Sequence, residues 1–157
     1  MVGNVKFTGT TYAPLPMKFE AGTQNFSSVV TLKPAIEFLK LLNDNKLAQY
    51  QDEIRDFVLE NLLKDERIRL YGVPRGTNKD KIALFSFSVD GVHHEDIALI
   101  LDKMGIATRS GQMCAEPVMT RFSVTGMLRA SLAPYNTMAE AEYFISSLVR
   151  AISMLKD

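Results

Sequence analysis

The sequence predicts an α+β fold in which a small, mostly antiparallel sheet carries helices packed chiefly on one face. Long stretches near both ends of residues 29–157 place apolar side chains three and four positions apart, as amphipathic helices do. Short runs rich in Ile, Leu, Val and Phe lie between them, bounded by Gly, Pro and Asn, as strands are. The predicted order is helix, helix, strand, strand, helix, strand, loop, strand, helix, which lacks the strict alternation of a parallel α/β sheet.

Helices are predicted where apolar residues recur at helical spacing. They begin after Thr31, run from about Lys46 to Lys64, run from His94 to Met104, and begin at the capping box Thr137-Met138-Ala139-Glu140. Thr31 is the expected N-cap of the first helix, which tolerates Pro34 because a first-turn N–H has no helical partner. Residues 43–45 are expected to form a turn and cap, and Gly105 is expected to end the third helix.

Four short strands are predicted between these helices. They cover Ile68 to Tyr71, Ile82 to Val89, Ile106 to Thr108 and Met127 to Leu132, with a turn at residues 75–78 between the first two. In the last strand Leu128, Ala130 and Leu132 alternate with Met127, Arg129 and Ser131. If the aliphatic face of this strand is core, Arg129 points away from it.

Residues 1–28 are predicted to be an irregular segment. They contain three Gly and two Pro among Thr, Ser and Asn, with no sustained period of a helix or a strand. Structureless stretches longer than about 12–15 residues are uncommon in a compact domain and are usually functional loops. We therefore expect a small domain over residues 29–157, preceded by a segment whose packing partner lies in a missing upstream part of the protein.

Composition excludes several classes of function. Because 18 Lys and Arg balance 18 Asp and Glu, a nucleic-acid or anionic-membrane binder is not expected. The single cysteine, Cys114, excludes an intramolecular disulfide and favours a reducing, cytoplasmic setting. His93 and His94 are expected to be solvated, and no metal site is expected because no further ligands accompany them. Neither a membrane span nor a signal peptide is predicted.

The run from Arg109 to Pro117 is the candidate for chemistry, since motifs for nucleotide binding, metal hydrolysis and serine hydrolysis are absent. A lone cysteine is most often an inert core thiol. Here Gly, Gln, Glu and Pro surround Cys114, which suggests an exposed loop, and Arg109 lies close enough in sequence to stabilise a reactive thiolate.

This region resembles a known family. The stretches RSGQMCAEPVM and LRASLAPYNT, from Arg109 to Asn136, resemble the C-terminal part of SUF-type cysteine desulfurases and selenocysteine lyases. These are pyridoxal-phosphate enzymes of the class V aminotransferase group. Phe19 to Asn25 is similar to their FEAGTPN segment, and residues 82–104 resemble a strand and helix of their small domain. The resemblance covers nearly the whole chain and implies the C-terminal domain of a fold type I transferase.

Site residues follow from the resemblance position by position. Cys114 matches the catalytic nucleophile that takes sulfur from L-cysteine, leaving a persulfide and releasing L-alanine. Arg129 matches the arginine that binds the substrate carboxylate. Thr23, in a loop near residues 22–25, matches a residue that contacts the phosphate of pyridoxal 5′-phosphate. Arg109, Gly111 and Gln112 are expected to support Cys114 within the active-site cysteine loop, residues 109–117.

The chain departs from the family pattern in two places. Gln24 replaces a proline, and Gln112-Met113 replaces a common His-His pair, which removes an imidazole from beside the thiol. The lysine that holds the cofactor belongs to a large upstream domain in this family, so the chain alone is expected to be inactive.

The resemblance also implies partners. These are L-cysteine or L-selenocysteine, a sulfur-acceptor protein in iron-sulfur cluster assembly, the enzyme's own large domain and a homodimer partner. Three alternatives to a cysteine desulfurase stay open. They are a selenocysteine lyase, another class V member, and a non-catalytic module that carries sulfur on Cys114 or binds a partner.

Overall fold

A computed structural model describes residues 1–42, 45–72 and 81–156 of the chain. The chain divides into two compact units, residues 1–43 and 44–157. The boundary between the units therefore lies further along the chain than the expected start of the small domain at residue 29. The reason is that the helix after Thr31 makes its contacts within the first unit, with the short helix before it.

The first unit contains a hairpin where an irregular segment was expected. Strand β1 (Val2–Lys6) pairs antiparallel with β2 (Gly9–Tyr12), and helices α1 (Phe26–Val30) and α2 (Leu32–Leu42) follow. Every residue of both strands is exposed. Because neither face of the hairpin is buried, its sequence does not alternate between apolar and polar residues. That alternation is the pattern from which a strand is predicted. The helix predicted after Thr31 is confirmed as α2, although the Thr31 hydroxyl donates backwards to the carbonyl of Ser28 at 2.7 Å.

Within its described residues, the second unit is an antiparallel sheet with four helices. Its strands are β3 (Ile68–Tyr71), β4 (Leu84–Val89), β5 (Arg109–Gly111) and β6 (Met127–Ser131), in the order β3-β4-β6-β5. Its helices are α3 (Asn45–Lys64), α4 (His94–Lys103), α5 (Glu116–Phe122) and α6 (Met138–Lys156). The predicted turn at residues 75–78 lies outside the described residues, as do residues 43 and 44 of the other predicted turn.

The hydrophobic core confirms the predicted fold class. Phe85, Phe87 and Val89 of β4 and Leu128 and Ala130 of β6 point to one face of the sheet. They pack there against α3, α4 and α6. The capping box that begins α6 is formed: the Glu140 N–H donates to Thr137 Oγ1 at 3.2 Å, and the Thr137 N–H donates to Glu140 Oε2 at 2.7 Å.

The strand predicted at Ile106 to Thr108 is wrong, because β5 begins at Arg109 instead. The backbone after α4 is used to end that helix. Gly105 has φ +78°, its N–H donates to the carbonyl of Asp102 at 2.9 Å, and the Ile106 N–H donates to that of Leu101 at 2.9 Å. These two bonds form a Schellman motif, so ladder pairing with β6 starts only at Arg109.

The second face of the sheet carries polar and charged residues. The strand register places Tyr71, Ser86, Arg129 and Arg109 in one row across the four strands. Arg129 therefore lies on the face opposite Leu128 and Ala130, as its alternation predicts. A smaller apolar cluster built around Tyr71, Met119 and Met127 covers part of this face beneath α5.

Candidate active site

Cys114 lies in a tight turn between β5 and α5. The Ala115 N–H donates to the carbonyl of Gln112 at 3.0 Å and closes the turn. Both central residues have positive φ, +56° at Met113 and +59° at Cys114, as in a type I′ turn. Gly111 precedes them with φ +102°. The expected loop of residues 109–117 is therefore shorter than predicted, because its ends are taken up by β5 and α5.

This turn is strained. Asn, Asp and Gly dominate positions with positive φ in type I′ turns, and neither Met nor Cys is among them. Each such residue costs about 1–3 kcal/mol, and residues of this kind cluster at functional sites. Cys114 is exposed, in agreement with the exposed loop that its neighbours suggested. The strain itself had no signal in the sequence, because no Gly or Asn marks the two positions.

Cys114 lines an open pocket of about 490 Å³. Its lining includes Arg109, Gln112, Cys114 and Glu116. The structure therefore brings Cys114 together with two of its predicted supporting residues. The third, Gly111, supplies the positive φ at which the chain leaves β5. The Arg109 guanidinium makes this pocket attractive to an anion.

Arg129 lines the neighbouring pocket, of about 600 Å³. Its Nε is buried and has no hydrogen-bond partner among the described residues. Arg109 is its direct cross-strand neighbour, and like charges directly opposite each other are destabilising. An anion bound in the Arg129 pocket would pair the buried donor. Met113 lines both pockets and so separates the carboxylate-binding candidate from Cys114.

Thr23 lies in the first unit, whereas Cys114, Arg109 and Arg129 lie in the second. It is exposed and follows Gly22, which has φ +74°. Asn25 caps α1 two residues later, with its Oδ1 accepting from the Ser28 N–H at 3.2 Å. An exposed hydroxyl at such a turn is accessible to an anion.

Besides the predicted site residues, Lys81 and His94 have lowered pKa values. Lys81 lines the Arg129 pocket, where its Nζ donates to the Leu84 carbonyl at 2.8 Å, and burial lowers its pKa. His94 was expected to be solvated but is 9% exposed, and its ring centroid lies 4.2 Å from that of His93. Burial is the main cause that lowers the pKa of His94, followed by repulsion from His93. Burial depends on distant contacts, so adjacency in sequence could not show it.

Other kinds of site are absent from the described part of the chain. No group of three or more His, Cys, Asp or Glu residues in those ranges is arranged to hold a metal ion. Within the same ranges, no helix is long and apolar enough to cross a membrane.

Three comparisons with known proteins bear on the site. A probable cysteine desulfurase of Xylella fastidiosa is 37% identical over 155 residues, which are 99% of this chain and 36% of that protein. The crystal structure of the cysteine desulfurase CsdA (S-sulfonic acid) from Escherichia coli matches with a TM-score of 0.78 at 34% identity, over 99% of this chain and 37% of that one. The apo cysteine desulfurase of Thermococcus onnurineus NA1 matches with a TM-score of 0.79 at 31% identity, over 98% of this chain and 38% of that chain.

The chain thus spans well under half the length of the relatives it matches. Their folds confirm the α+β architecture expected from the sequence. The similarity also confirms the expected resemblance to cysteine desulfurases. A family profile described as Aminotransferase class-V matches residues 1–144. The chain belongs to the class-V aminotransferase family.

Proposed function

We propose that this chain supplies the sulfur-accepting cysteine and the carboxylate-binding arginine of a pyridoxal-phosphate-dependent cysteine desulfurase. The observation that carries the proposal is the strained turn that holds the exposed Cys114 in a pocket with Arg109. Similarity to proteins named cysteine desulfurase supports the same assignment.

The overall reaction balances with the groups that the proposal names. L-Cysteine and the Cys114 thiolate give L-alanine and a Cys114 persulfide, so no outside oxidant or reductant is needed. The thiolate Sγ attacks the substrate sulfur, and the S–S bond forms as the substrate C–S bond breaks. In the net reaction the electron pair of that bond takes up the proton of the substrate thiol and ends as a C–H bond of alanine. Arg109 lines the same pocket as Cys114 and offers its guanidinium to an anion there.

Arg129 is proposed to orient the substrate by its carboxylate. A guanidinium can hold a carboxylate with two parallel hydrogen bonds, which sets position and direction together. The buried and unpaired Nε is a donor that such a ligand would satisfy. Met113, which lines both the Arg129 pocket and the Cys114 pocket, then determines how the substrate sulfur reaches Cys114.

Pyridoxal 5′-phosphate is the cofactor that the family implies. It supplies an electron sink for bond cleavage in the bound amino acid. The residues of this chain fit only a peripheral contact with it: Thr23 and the backbone of residues 22–25 offer an accessible hydroxyl and a left-handed glycine turn for its phosphate. We therefore propose that the rest of the enzyme holds the cofactor, and that the chain by itself is inactive.

The proposed partners follow from the same assignment. The outer sulfur of the Cys114 persulfide passes to a sulfur-acceptor protein for iron-sulfur cluster assembly. A single cysteine is typical of a protein in the reducing cytoplasm, where we place this transfer. A large domain and a second copy of the enzyme complete the site.

The first experiment treats the purified chain with pyridoxal 5′-phosphate and L-cysteine and follows alanine release and intact mass. We expect no alanine from the chain alone. Formation of alanine by the isolated chain would refute the proposal, because it would require one of the chain's own lysines to hold the cofactor.

The second experiment tests the two residues in the complete enzyme that contains this chain. Cys114→Ser should abolish sulfur transfer, and retained desulfurase turnover would refute the role of Cys114. Arg129→Ala should raise KM for L-cysteine about 10- to 100-fold, because hydrogen bonds between charged groups contribute about 1.5–3 kcal/mol. An unchanged KM would refute the role of Arg129.

A selenocysteine lyase is the second candidate within the family. The observation that favours it is Gln112-Met113, which places no imidazole beside Cys114. Comparing kcat/KM for L-selenocysteine and L-cysteine decides between the two enzymes. A sulfur carrier is the candidate outside enzyme chemistry, and it predicts a persulfide mass on Cys114 without alanine formation.

A further inference from the structure

We propose that Met113 is a positioning residue, which holds the strained turn in place by anchoring its side chain in the apolar cluster of Tyr71, Met119 and Met127. The inference rests on the proposed role of Cys114. It goes beyond that role by naming what keeps the thiol presented.

The turn needs an outside source of stability. Its own closure consists of one hydrogen bond, from the Ala115 N–H to the Gln112 carbonyl at 3.0 Å. A single hydrogen bond contributes about 0.5–1.5 kcal/mol net, which is less than the combined strain of two non-glycine residues with positive φ. A strained backbone persists only where its surroundings determine it.

Met113 is placed to provide that support. Its side chain packs against the small cluster on the second face of the sheet, together with Phe122 and Val124. Cys114, the next residue, is exposed instead. Of the two central residues of the turn, Met113 is therefore held by apolar contacts and Cys114 is exposed to solvent.

The following helix gives the turn a second anchor. The N–H groups of Val118 and Met119 donate to the carbonyl of Ala115 at 2.9 and 3.2 Å, so α5 starts directly after the turn. Met119 is 5% exposed and belongs to the same cluster as Met113. Cys114 thus lies between two methionines that are both packed on the sheet. Met119 would hold α5 even if the turn opened, so Met113 is the anchor that decides the conformation of Cys114.

Met113 also lines both pockets, the one that contains Cys114 and the one that contains Arg129. An apolar thioether is a suitable wall here, because it packs closely and offers no strong hydrogen bond that would pull the turn toward either arginine. The position where the family commonly has an imidazole is therefore used for packing in this chain.

The test compares Met113→Ser, which removes the apolar anchor, with Met113→Leu, which keeps apolar volume. Met154→Ser is the matched control, since Met154 is 59% exposed on α6. Amide hydrogen exchange of the isotope-labelled chain, followed by NMR, reports the turn at Ala115 and the core at Leu148. We expect exchange at Ala115 to be about tenfold faster in Met113→Ser and unchanged in the other two variants.

A second readout reports where Cys114 lies. Because Cys114 is the only cysteine, its rates of alkylation by anionic iodoacetate and by neutral iodoacetamide can be read from intact mass. Their ratio cancels the thiolate fraction and measures the positive charge near the thiol. Met113→Ser should lower this ratio about two- to fivefold, toward that of Arg109→Gln, and Met113→Leu should retain it.

An Ala115 exchange rate in Met113→Ser equal to that of the unaltered chain would overturn the inference. So would an equal acceleration at Leu148, which would make Met113 a general stabiliser only. An alkylation ratio in Met113→Ser that matches the unaltered chain would overturn it as well. Neither readout needs sulfur transfer, so this inference and the proposed desulfurase role can fail independently of each other.

Discussion

Substituting Gly126 by Ala tests the packing that positions the start of β6, the strand that carries Arg129. Gly126 is buried, and a Cβ added there would lie 2.2 Å from His94 Nε2 and 2.8 Å from Cδ2 and Cε1 of the same ring. Real Cβ atoms essentially never approach other heavy atoms below 3.0 Å. Gly126 is not among the glycines with positive φ, so the backbone accepts alanine and the effect is steric.

The imidazole of His94 cannot easily move away. It is 9% exposed and lies against the ring of His93 at 4.2 Å between centroids. Overpacking of this kind costs about 1–3 kcal/mol. For a chain of this size we expect the free energy of unfolding to fall by about 2 kcal/mol and Tm to fall by about 4–8 °C.

A double-mutant cycle isolates the contact. His94→Ala removes the ring that the new methyl group meets, so Gly126→Ala should cost much less in the His94→Ala background. We expect a coupling free energy of about 1–2 kcal/mol from urea unfolding monitored by circular dichroism. Additive effects of the two substitutions, or a Gly126→Ala variant as stable as the parent chain, would refute the proposed ring-to-glycine packing.

Three further predictions concern stability. His94 has a lowered pKa when folded, so as pH falls the unfolded chain takes up this proton before the folded chain does. The free energy of unfolding, measured by urea titration at pH 7.5 and at pH 5.5, should therefore be lower at pH 5.5. The decrease should be smaller in His94→Ala than in the parent chain. Phe87→Ala, at a fully buried position, should cost about 3–5 kcal/mol by the same assay, and a cost below 1 kcal/mol would contradict the core assignment. Thr137→Ala should cost about 1 kcal/mol by removing the N-cap of α6, whereas Thr137→Ser should be nearly neutral in thermal unfolding.

Residues close together in sequence determined the elements that could be predicted. The capping box at Thr137 and Glu140, the glycine that ends α4 at Gly105, and the apolar spacing of α3 all operate within a few positions. The alternation in β6 likewise separates Arg129 from Leu128 and Ala130 by the two-residue period of a strand. The motif around Cys114 pointed to the family, which the comparisons then showed.

The missed elements lack such local signals. The hairpin of β1 and β2 is exposed on both faces, so its residues show no pattern of burial. The shift of β5 to Arg109 depends on the hydrogen bonds that end α4. The burial of His94 depends on Gly126, more than thirty positions away in the chain.

The sequence by itself determined the fold class, most helices and the residues to examine, because helix caps, strand alternation and the cysteine motif are encoded within a few neighbouring positions. Tertiary structure alone decided how the site is arranged. The left-handed turn at Met113 and Cys114 packs its methionine against a cluster that includes Tyr71, a residue on another strand. The pairing of β5 with β6 places Arg109 opposite Arg129. Such contacts join residues distant in sequence, and their energies depend on burial and distance, which no local pattern records.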